Sequence, residues 1–284
     1  MMVLSDVLRY GEETLQNAGI ADAKIDAFTL LEMASGVNRT TYLLYKDHTV
    51  NEKQFESYQK LIERRAAHEP CQYIVGKCEF MGFEFEVNPS VLIPRQDTET
   101  LVEEVLKIMP GKSRVLDLCT GSGAIAISLQ RYRPDIYPTA VDISPEALNV
   151  AVANSRARHC IIDFVLSDLF EALDPAEKFD VIVSNPPYVS DAEYEELMPE
   201  VKDHEPALAL KAGEKGLDIY ERLIRETPSY LNEGGILALE IGCSQAEDVT
   251  SMMEAQQFVE IKVVKDLAGL DRVVIGYLKY KREE

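Results

Sequence analysis

Arg114-Val115-Leu116-Asp117-Leu118-Cys119-Thr120-Gly121-Ser122-Gly123-Ala124-Ile125-Ala126 is the stretch that decides the fold. A short apolar run reads as a strand, and it empties into a glycine-rich loop followed by helix-forming residues. Glycines permit a tight turn and close backbone approach. The helix that follows offers unpaired N–H groups and the positive end of its dipole to an anion. The spacing Gly121-x-Gly123-x-x-Ala126 also satisfies the dinucleotide fingerprint, so the loop alone stays open between nucleotide cofactors. A glycine turn with no ligand is the plainer alternative.

Outward from this loop, strands and helices alternate. Arg114–Leu118, 137–141, 161–166, 179–184 and 235–241 read as strands, with helices near 98–108, 121–133, 144–156 and 216–231. Such alternation predicts a parallel sheet covered on both faces. After a helix near 245–256, strands at 258–264 and 272–278 are joined by about seven residues. That is too short for a crossover helix, so the last pair is expected to be antiparallel. The class is α/β, a Rossmann-like sheet of seven strands with an antiparallel last strand. Toward the amino terminus the period is helical. Val3, Val7, Leu8 and Leu15 share one face and Gly19 stops that helix. Asp22 is placed to cap a second, with Ile25, Phe28 and Leu31 facing inward and Asp26, Thr29 and Glu32 outward. Tyr42, Leu43 and Tyr45 form a short third piece, and Asn51 begins a longer helix. Residues 72–76 and 80–87 alternate with period two around glycines, which predicts a β-hairpin. The expected domains are therefore a helical bundle at 1–70, a hairpin connector at 71–94 and a catalytic domain at 95–284.

Candidate site residues fall at strand ends, where open parallel sheets bind ligands. Asp142 closes the second strand, 21 residues after Gly121, the spacing of an acid that accepts ribose hydroxyls; a helix-capping role is the alternative. Asp168, after the third strand, is placed to accept an adenine amino group or to cap a turn. The fourth strand ends in Asn185-Pro186-Pro187-Tyr188. Two prolines remove two N–H donors and force Asn185 into an extended conformation. What remains are acceptors, the Asn185 side-chain oxygen and the Pro186 carbonyl, with Tyr188 as an aromatic face. That set suits a planar –NH2 group, whose delocalised lone pair makes it a poor nucleophile unless both hydrogens are pinned.

Asp117 to Gly123 resembles the first motif of the S-adenosylmethionine-dependent methyltransferases, and Asn-Pro-Pro-Tyr the motif of those that methylate planar amines. Glu69-Pro70-x-Gln72-Tyr73-Ile74-x-Gly76, Glu79-Phe80-x-Gly82, Val91-Leu92-Ile93-Pro94-Arg95-x-Asp97-Thr98-Glu99 and Glu205-Pro206-x-x-Ala209-Leu210 narrow the likeness. Together they resemble the HemK/PrmC family of release factor glutamine methyltransferases, over nearly the whole chain. The resemblance implies S-adenosylmethionine as methyl donor, with S-adenosylhomocysteine as product. The implied acceptor is the side-chain nitrogen of the glutamine in the Gly-Gly-Gln tripeptide of peptide chain release factors. It implies that Cys119, Thr120, Gly121, Ser122 and Gly123 wrap the methionine part and that Asp117 meets its amino group. Asp142 then takes the ribose, Asp168 and Leu169 border the adenine, and Asn185 stands between cofactor and substrate. Asn185, Pro186 and Tyr188 are the expected catalytic group; Pro187, Arg95 and Thr98 join them as substrate-binding candidates, the last two with the alternatives of an ion-paired arginine and a helix cap. No general base is nominated, because the nitrogen loses its proton readily once methylated. Gln96 stands where many members have Pro, Cys119 where many have Gly, and Leu169 where some place an aromatic residue, which would leave adenine packing to Phe170.

Forty-nine acids against 29 bases give a net charge of −20, which repels phosphate backbones. An adenine-specific DNA methyltransferase, the rival reading of the tetrapeptide, needs phosphate contacts and a flipped base, and is disfavoured; no direct nucleic-acid binding is expected. A nicotinamide oxidoreductase would leave Asn185–Tyr188 without a role. Five cysteines with no Cys-x-x-Cys pair, and four histidines apart from them, suggest neither a disulfide framework nor a metal site. Asp6 and Arg9 interrupt the first apolar stretch, and no run reaches the roughly 18 residues of a membrane span. A cytoplasmic, membrane-free enzyme is the expectation.

Overall fold

The computed structural model describes residues 2–280; Met1 and 281–284, the outer ends of the two expected domains, lie outside the described residues. The chain forms two compact units, one of Met1–Lys77 with Met198–His204 and one of Cys78–Leu197 with Glu205–Glu284.

The first unit is helical. Strand β1 (Met2–Val3) leads into α1 (Leu4–Asn17), then α2 (Ala23–Ser35), α3 (Arg39–Tyr45), β2 (Thr49–Val50), α4 (Glu52–Ala66) and α5 (Cys71–Val75). Helix α2 ends on Gly36 at φ +74°, and α4 begins with a reciprocal capping box between Asn51 and Gln54. Asp22 stands at the start of α2, but its side chain accepts no capping hydrogen bond. The face assigned to α2 needs correction: Ile25 is 65% exposed, and Asp26 is buried instead. Arg65 of α4 explains it. Its guanidinium donates to Asp26 Oδ2 at 2.6 Å and to Glu200 Oε2 at 2.5 Å, so the buried carboxylate is paired. A second correction concerns 72–76, which is the helix α5 and no strand. Its Cys71 and Ile74 join the core of the helical bundle, so the division falls after Lys77 and not at residue 70.

The hairpin itself is β3 (Lys77–Phe80) and β4 (Phe83–Glu86), turned through Met81 and Gly82, both at positive φ as a two-residue type I′ turn requires. It is no mere connector. Phe80 and Phe85 are fully buried in the core under one sheet face. Buried Asn154 also accepts from the Glu86 N–H (2.7 Å) and donates to the carbonyls of Glu86 (2.9 Å) and Ser122 (3.0 Å).

The rest of the second unit follows as α6 (Gln96–Ile108), β5 (Arg114–Leu118), α7 (Ala124–Tyr132), β6 (Tyr137–Asp142), α8 (Pro145–Ala157), β7 (Asp163–Leu166), β8 (Phe179–Ser184) and α9 (Asp191–Glu196). The short helix α10 (Pro199–Lys202) belongs to the first unit. Then come α11 (Asp218–Glu226), β9 (Leu231–Glu240), α12 (Ala246–Ala255), β10 (Phe258–Lys265) and β11 (Asp271–Leu278). Helix α11 stops earlier than its pattern implied because Pro228 turns the chain into a 3₁₀ segment. Seven strands make one sheet in the order β10-β11-β9-β8-β5-β6-β7, and β11 runs antiparallel to both its neighbours. The chain winds from β5 outward through β6 and β7, then returns to β8 on the other side. That reversal is the crevice where ligands bind in such sheets.

Candidate active site

The register of the sheet brings the site together. Leu118 pairs with Val141 on one side and Ser184 on the other, so the residues after β5, at the end of β6 and after β8 lie abreast. Ser184 Oγ donates to the Leu118 carbonyl at 2.6 Å and locks the two central strand ends. Above them opens a cleft of about 250 Å³. Cys119, Thr120, Gly121, Ser122, Asp142, Asp168, Leu169, Asn185, Pro187, Arg95 and Thr98 all line it, together with Ser90–Leu92, Pro94 and Leu208. The stretch from Ser90 to Pro94, assigned above to a connector, is thus a wall of the site.

The loop Cys119–Gly123 is shaped by left-handed backbone at Cys119 (φ +59°), Gly121 (+55°) and Gly123 (+80°). A Cβ on Gly121 would meet nothing within 4 Å, whereas one on Gly123 would sit 3.2 Å from Ala151 Cβ. The first glycine keeps open space over the loop and the second lets α7 and α8 approach. Asp117, fully buried, anchors the loop: its Oδ2 accepts from Thr120 Oγ1 (2.6 Å) and from the Ala126 N–H (3.1 Å). Its Oδ1 is buried with no hydrogen-bond partner among the described residues, and burial pushes the carboxyl up to about 7. Asp142 accepts from the N–H groups of Gly121 (2.8 Å) and Ser144 (2.9 Å), and burial raises its pKa. It does not cap α8; Ser144 does, accepting from the Ala147 N–H at 3.1 Å. Burial also raises the Cys119 thiol to about 12, so it faces the cleft as a neutral group.

On the far side Asp168 pairs with Arg222 of α11 at 2.9 Å, a cleft-lining partner without a motif to announce it. Phe170 does not take over packing in the cleft. It is fully buried and stacks on Tyr230 at 4.6 Å, while Leu169, at φ +49°, reaches the opening.

Asn185 Nδ2 donates to Thr98 Oγ1 at 3.1 Å. Its Oδ1 and the Pro186 carbonyl accept no hydrogen bond among the described residues. Thr98 is buried within the first turn of α6 and holds Asn185 instead of capping the helix. Arg95 pairs with the buried Glu205, which also accepts from the Ile93 N–H at 3.2 Å. Pro186 and Tyr188 do not line the cleft. Pro186 is buried, and the Tyr188 hydroxyl is drawn down to Glu240 Oε1 at 3.3 Å. Glu240, at the end of β9, was not singled out from sequence. It is 1% exposed, and burial pushes its carboxyl up to about 7 against the hydrogen bond of Thr98, the charge of Arg272 and the hydrogen bond of Tyr188. Only its place at a strand end beside the crevice could have flagged it. Among the described residues no group of three or more His, Cys, Asp or Glu side chains gathers to hold a metal, and all five cysteines are free thiols. No helix of the described chain is long and apolar enough to cross a membrane.

A seven-stranded sheet with one antiparallel strand, a glycine loop after its first central strand and Asn-Pro-Pro-Tyr after the next define a methyltransferase. Residues 6–76 match the PrmC N-terminal domain, and residues 96–202 match the Methyltransferase small domain. The release factor glutamine methyltransferase of Geobacter sulfurreducens is 40% identical over 270 residues, covering 95% of each chain. That of Koribacter versatilis is 40% identical over 277 residues, 97% of this chain and 98% of the other. The chain therefore belongs to the release factor glutamine methyltransferase family. A T. thermophilus 16S rRNA methyltransferase, solved in complex with AdoMet and guanosine, shares the fold with a TM-score of 0.54 at 19% identity. That match covers 72% of this chain and 50% of the other.

Proposed function

We propose that this enzyme methylates the side-chain amide nitrogen of the glutamine in the Gly-Gly-Gln motif of peptide chain release factors, using S-adenosylmethionine. The observation that carries the reading is Asn185, tied back by its own –NH2 to Thr98 so that a carbonyl oxygen is left for the cleft. The Pro186 carbonyl, unengaged though its residue is buried behind the cleft wall, would be the second acceptor, a pair that matches the two hydrogens of a primary amide. The residues fit the donor. Gly121 leaves room above the loop, Asp117 keeps an unpartnered buried oxygen for an ammonium group, directly or through water, and Asp142 has lone pairs left for ribose hydroxyls. Asp168 and Leu169 border the remaining end, where an adenine would lie. Bound there, S-adenosylmethionine supplies an electrophilic sulfonium methyl and leaves as S-adenosylhomocysteine. What the chain contributes is positioning and exclusion of water from the acceptor nitrogen.

The helical unit, which begins as the bundle expected at 1–70, is the docking platform for the factor. Ile25, Leu43 and Leu44 remain largely exposed on it, apolar surface that a folded partner can cover. With a net charge of −20, direct nucleic-acid binding is not part of this reading, and the release factor would be met in the cytoplasm. The test is incubation of the enzyme and S-adenosylmethionine with a purified bacterial release factor, followed by peptide mass spectrometry. A methyl-sized increment on the motif glutamine is expected. An unmodified factor, with methyl transfer to duplex DNA in parallel, would put the adenine-methyltransferase reading in its place.

Asp142 gives a separate check on the donor site. Asp142→Ala removes the ribose acceptor and also releases the Gly121 and Ser144 N–H groups that hold the loop. Titration calorimetry with S-adenosylhomocysteine is expected to show binding weaker by about 1.5–3 kcal/mol, the worth of hydrogen bonds to a charged group. Unchanged affinity in a folded variant overturns the ribose assignment.

A further inference from the structure

Beneath Asn185 and Tyr188 lies a buried acid that the reaction described above does not use. Glu240 accepts from the Tyr188 hydroxyl at 3.3 Å through Oε1, while its Oε2 is buried without a hydrogen-bond donor among the described residues. Thr98 is beside it, close enough for its hydroxyl to bond to the carboxylate. That hydroxyl accepts from Asn185 Nδ2 at 3.1 Å, which leaves its one proton for the Glu240 carboxylate. The one proton of Thr98 thus turns to the buried acid, in a place closed to water.

We infer that Glu240 is a positioning residue that fixes the polarity of the chain Asn185–Thr98–Glu240, and so decides which end of the Asn185 amide enters the cleft. This rests on the role proposed for Asn185 in holding the substrate amide. Above about pH 7, where this buried carboxyl is ionised, it can only accept, so it takes the Thr98 proton and leaves Thr98 only lone pairs to show to Asn185. Asn185 must then meet Thr98 with its –NH2, and its Oδ1 points to the substrate. Were the Thr98 proton free to turn, Asn185 could present Oδ1 to Thr98 instead. Its –NH2 would then confront the –NH2 of the substrate, donor against donor. Glu240 thus sets the hydrogen-bond sign of the site without meeting the substrate.

Glu240→Gln keeps the shape but can both donate and accept, so the direction is no longer forced. In steady-state methylation of a purified release factor at about pH 8.5, where Glu240 is ionised, kcat is expected to fall about 10- to 100-fold, while the KM for S-adenosylmethionine moves less than about two-fold. The decisive measurement is a double-mutant cycle. An aspartate at 185 presents an oxygen whichever way it turns but competes with Glu240 for the single Thr98 proton. In the Asn185→Asp background Glu240→Gln is therefore expected to leave the rate unchanged or to raise it, where alone it lowers it. Thr98→Val cuts the chain with Glu240 intact, and in that background Glu240→Gln is expected to be nearly silent. Thr98→Ser, which keeps the hydroxyl, recovers most of what Thr98→Val loses. A merely structural role predicts additive losses in every background, and additivity in variants of matched thermal stability overturns the inference. So does a Glu240→Gln enzyme with wild-type kcat. If the wild-type enzyme itself leaves the factor unmethylated, the functional reading fails and this role falls with it; an active wild type with an additive cycle condemns the role of Glu240 alone.

Discussion

Asn185→Ala is expected to slow single-turnover methyl transfer, at saturating S-adenosylmethionine, by about 30- to 1,000-fold, the equivalent of roughly 2–4 kcal/mol for one positioned hydrogen bond that strengthens toward the transition state. The structure gives the reason. Asn185 is the cleft-lining side chain of the tetrapeptide with a carbonyl oxygen unengaged, since Thr98 occupies its nitrogen. Removing it leaves the Pro186 carbonyl alone, and one acceptor cannot fix the plane of a primary amide. The substrate nitrogen would then sample angles from which its lone pair does not face the donor. Cofactor affinity should change far less than turnover, because the loop after β5 and Asp142 are untouched.

Asn185→Asp separates geometry from charge. It keeps an acceptor in place, so partial activity is expected where alanine is nearly inactive. A carboxylate beside a neutral amide adds a desolvation cost and attracts a cationic donor in the ground state, which is why full activity is not expected. Rapid-quench measurement of the two variants side by side decides it. Wild-type rates in Asn185→Ala would mean that the tetrapeptide is only a turn leaving β8.

Much of this was readable before the structure because the signals were local. A strand that empties into a glycine loop, and two prolines after another strand, are statements about backbone donors and φ angles that a sequence makes directly. The antiparallel ending followed from the length of one connection. The misreadings were tertiary. The period-two pattern at 72–76 is real, yet those residues fold as α5 because Cys71 and Ile74 fill the bundle core. Asp26 sits on the polar side of its helix by pattern and on the buried side in fact, because Arg65, 39 residues away, neutralises it. Phe170 could not be told from a ligand-facing aromatic without knowing that Tyr230 stacks on it. Glu240, Arg222 and Glu205 belong to the site only through partners distant in sequence, Tyr188, Asp168 and Arg95, so no local spacing announces them.

Asp117→Asn is expected to stabilise the ligand-free protein, by an amount that grows with pH. In the wild type the folded-state pKa is raised to about 7, chiefly by burial, against an ordinary value of 3.8. A carboxyl shifted this way contributes its full stability only while protonated in both states, below about pH 4. That contribution is lost as pH rises through the folded value, because the unfolded chain ionises first. Some three pKa units correspond to a loss on the order of 4 kcal/mol by pH 8, at 1.36 kcal/mol per unit. Asparagine does not titrate and escapes the loss. Denaturant unfolding at pH 4.5 and pH 8 should therefore show the gap between variant and wild type widening toward pH 8, while contributions from other carboxylates cancel in the difference. The same substitution should weaken S-adenosylmethionine binding, since an amide puts a neutral group, and in one rotamer an N–H, where an ammonium needs the unpartnered Oδ1. Stability and affinity moving in opposite directions is what a charge kept for a ligand requires. A gap that stays flat from pH 4.5 to 8 would show that burial does not burden Asp117, and an unaltered affinity at pH 8 would remove it from the donor site.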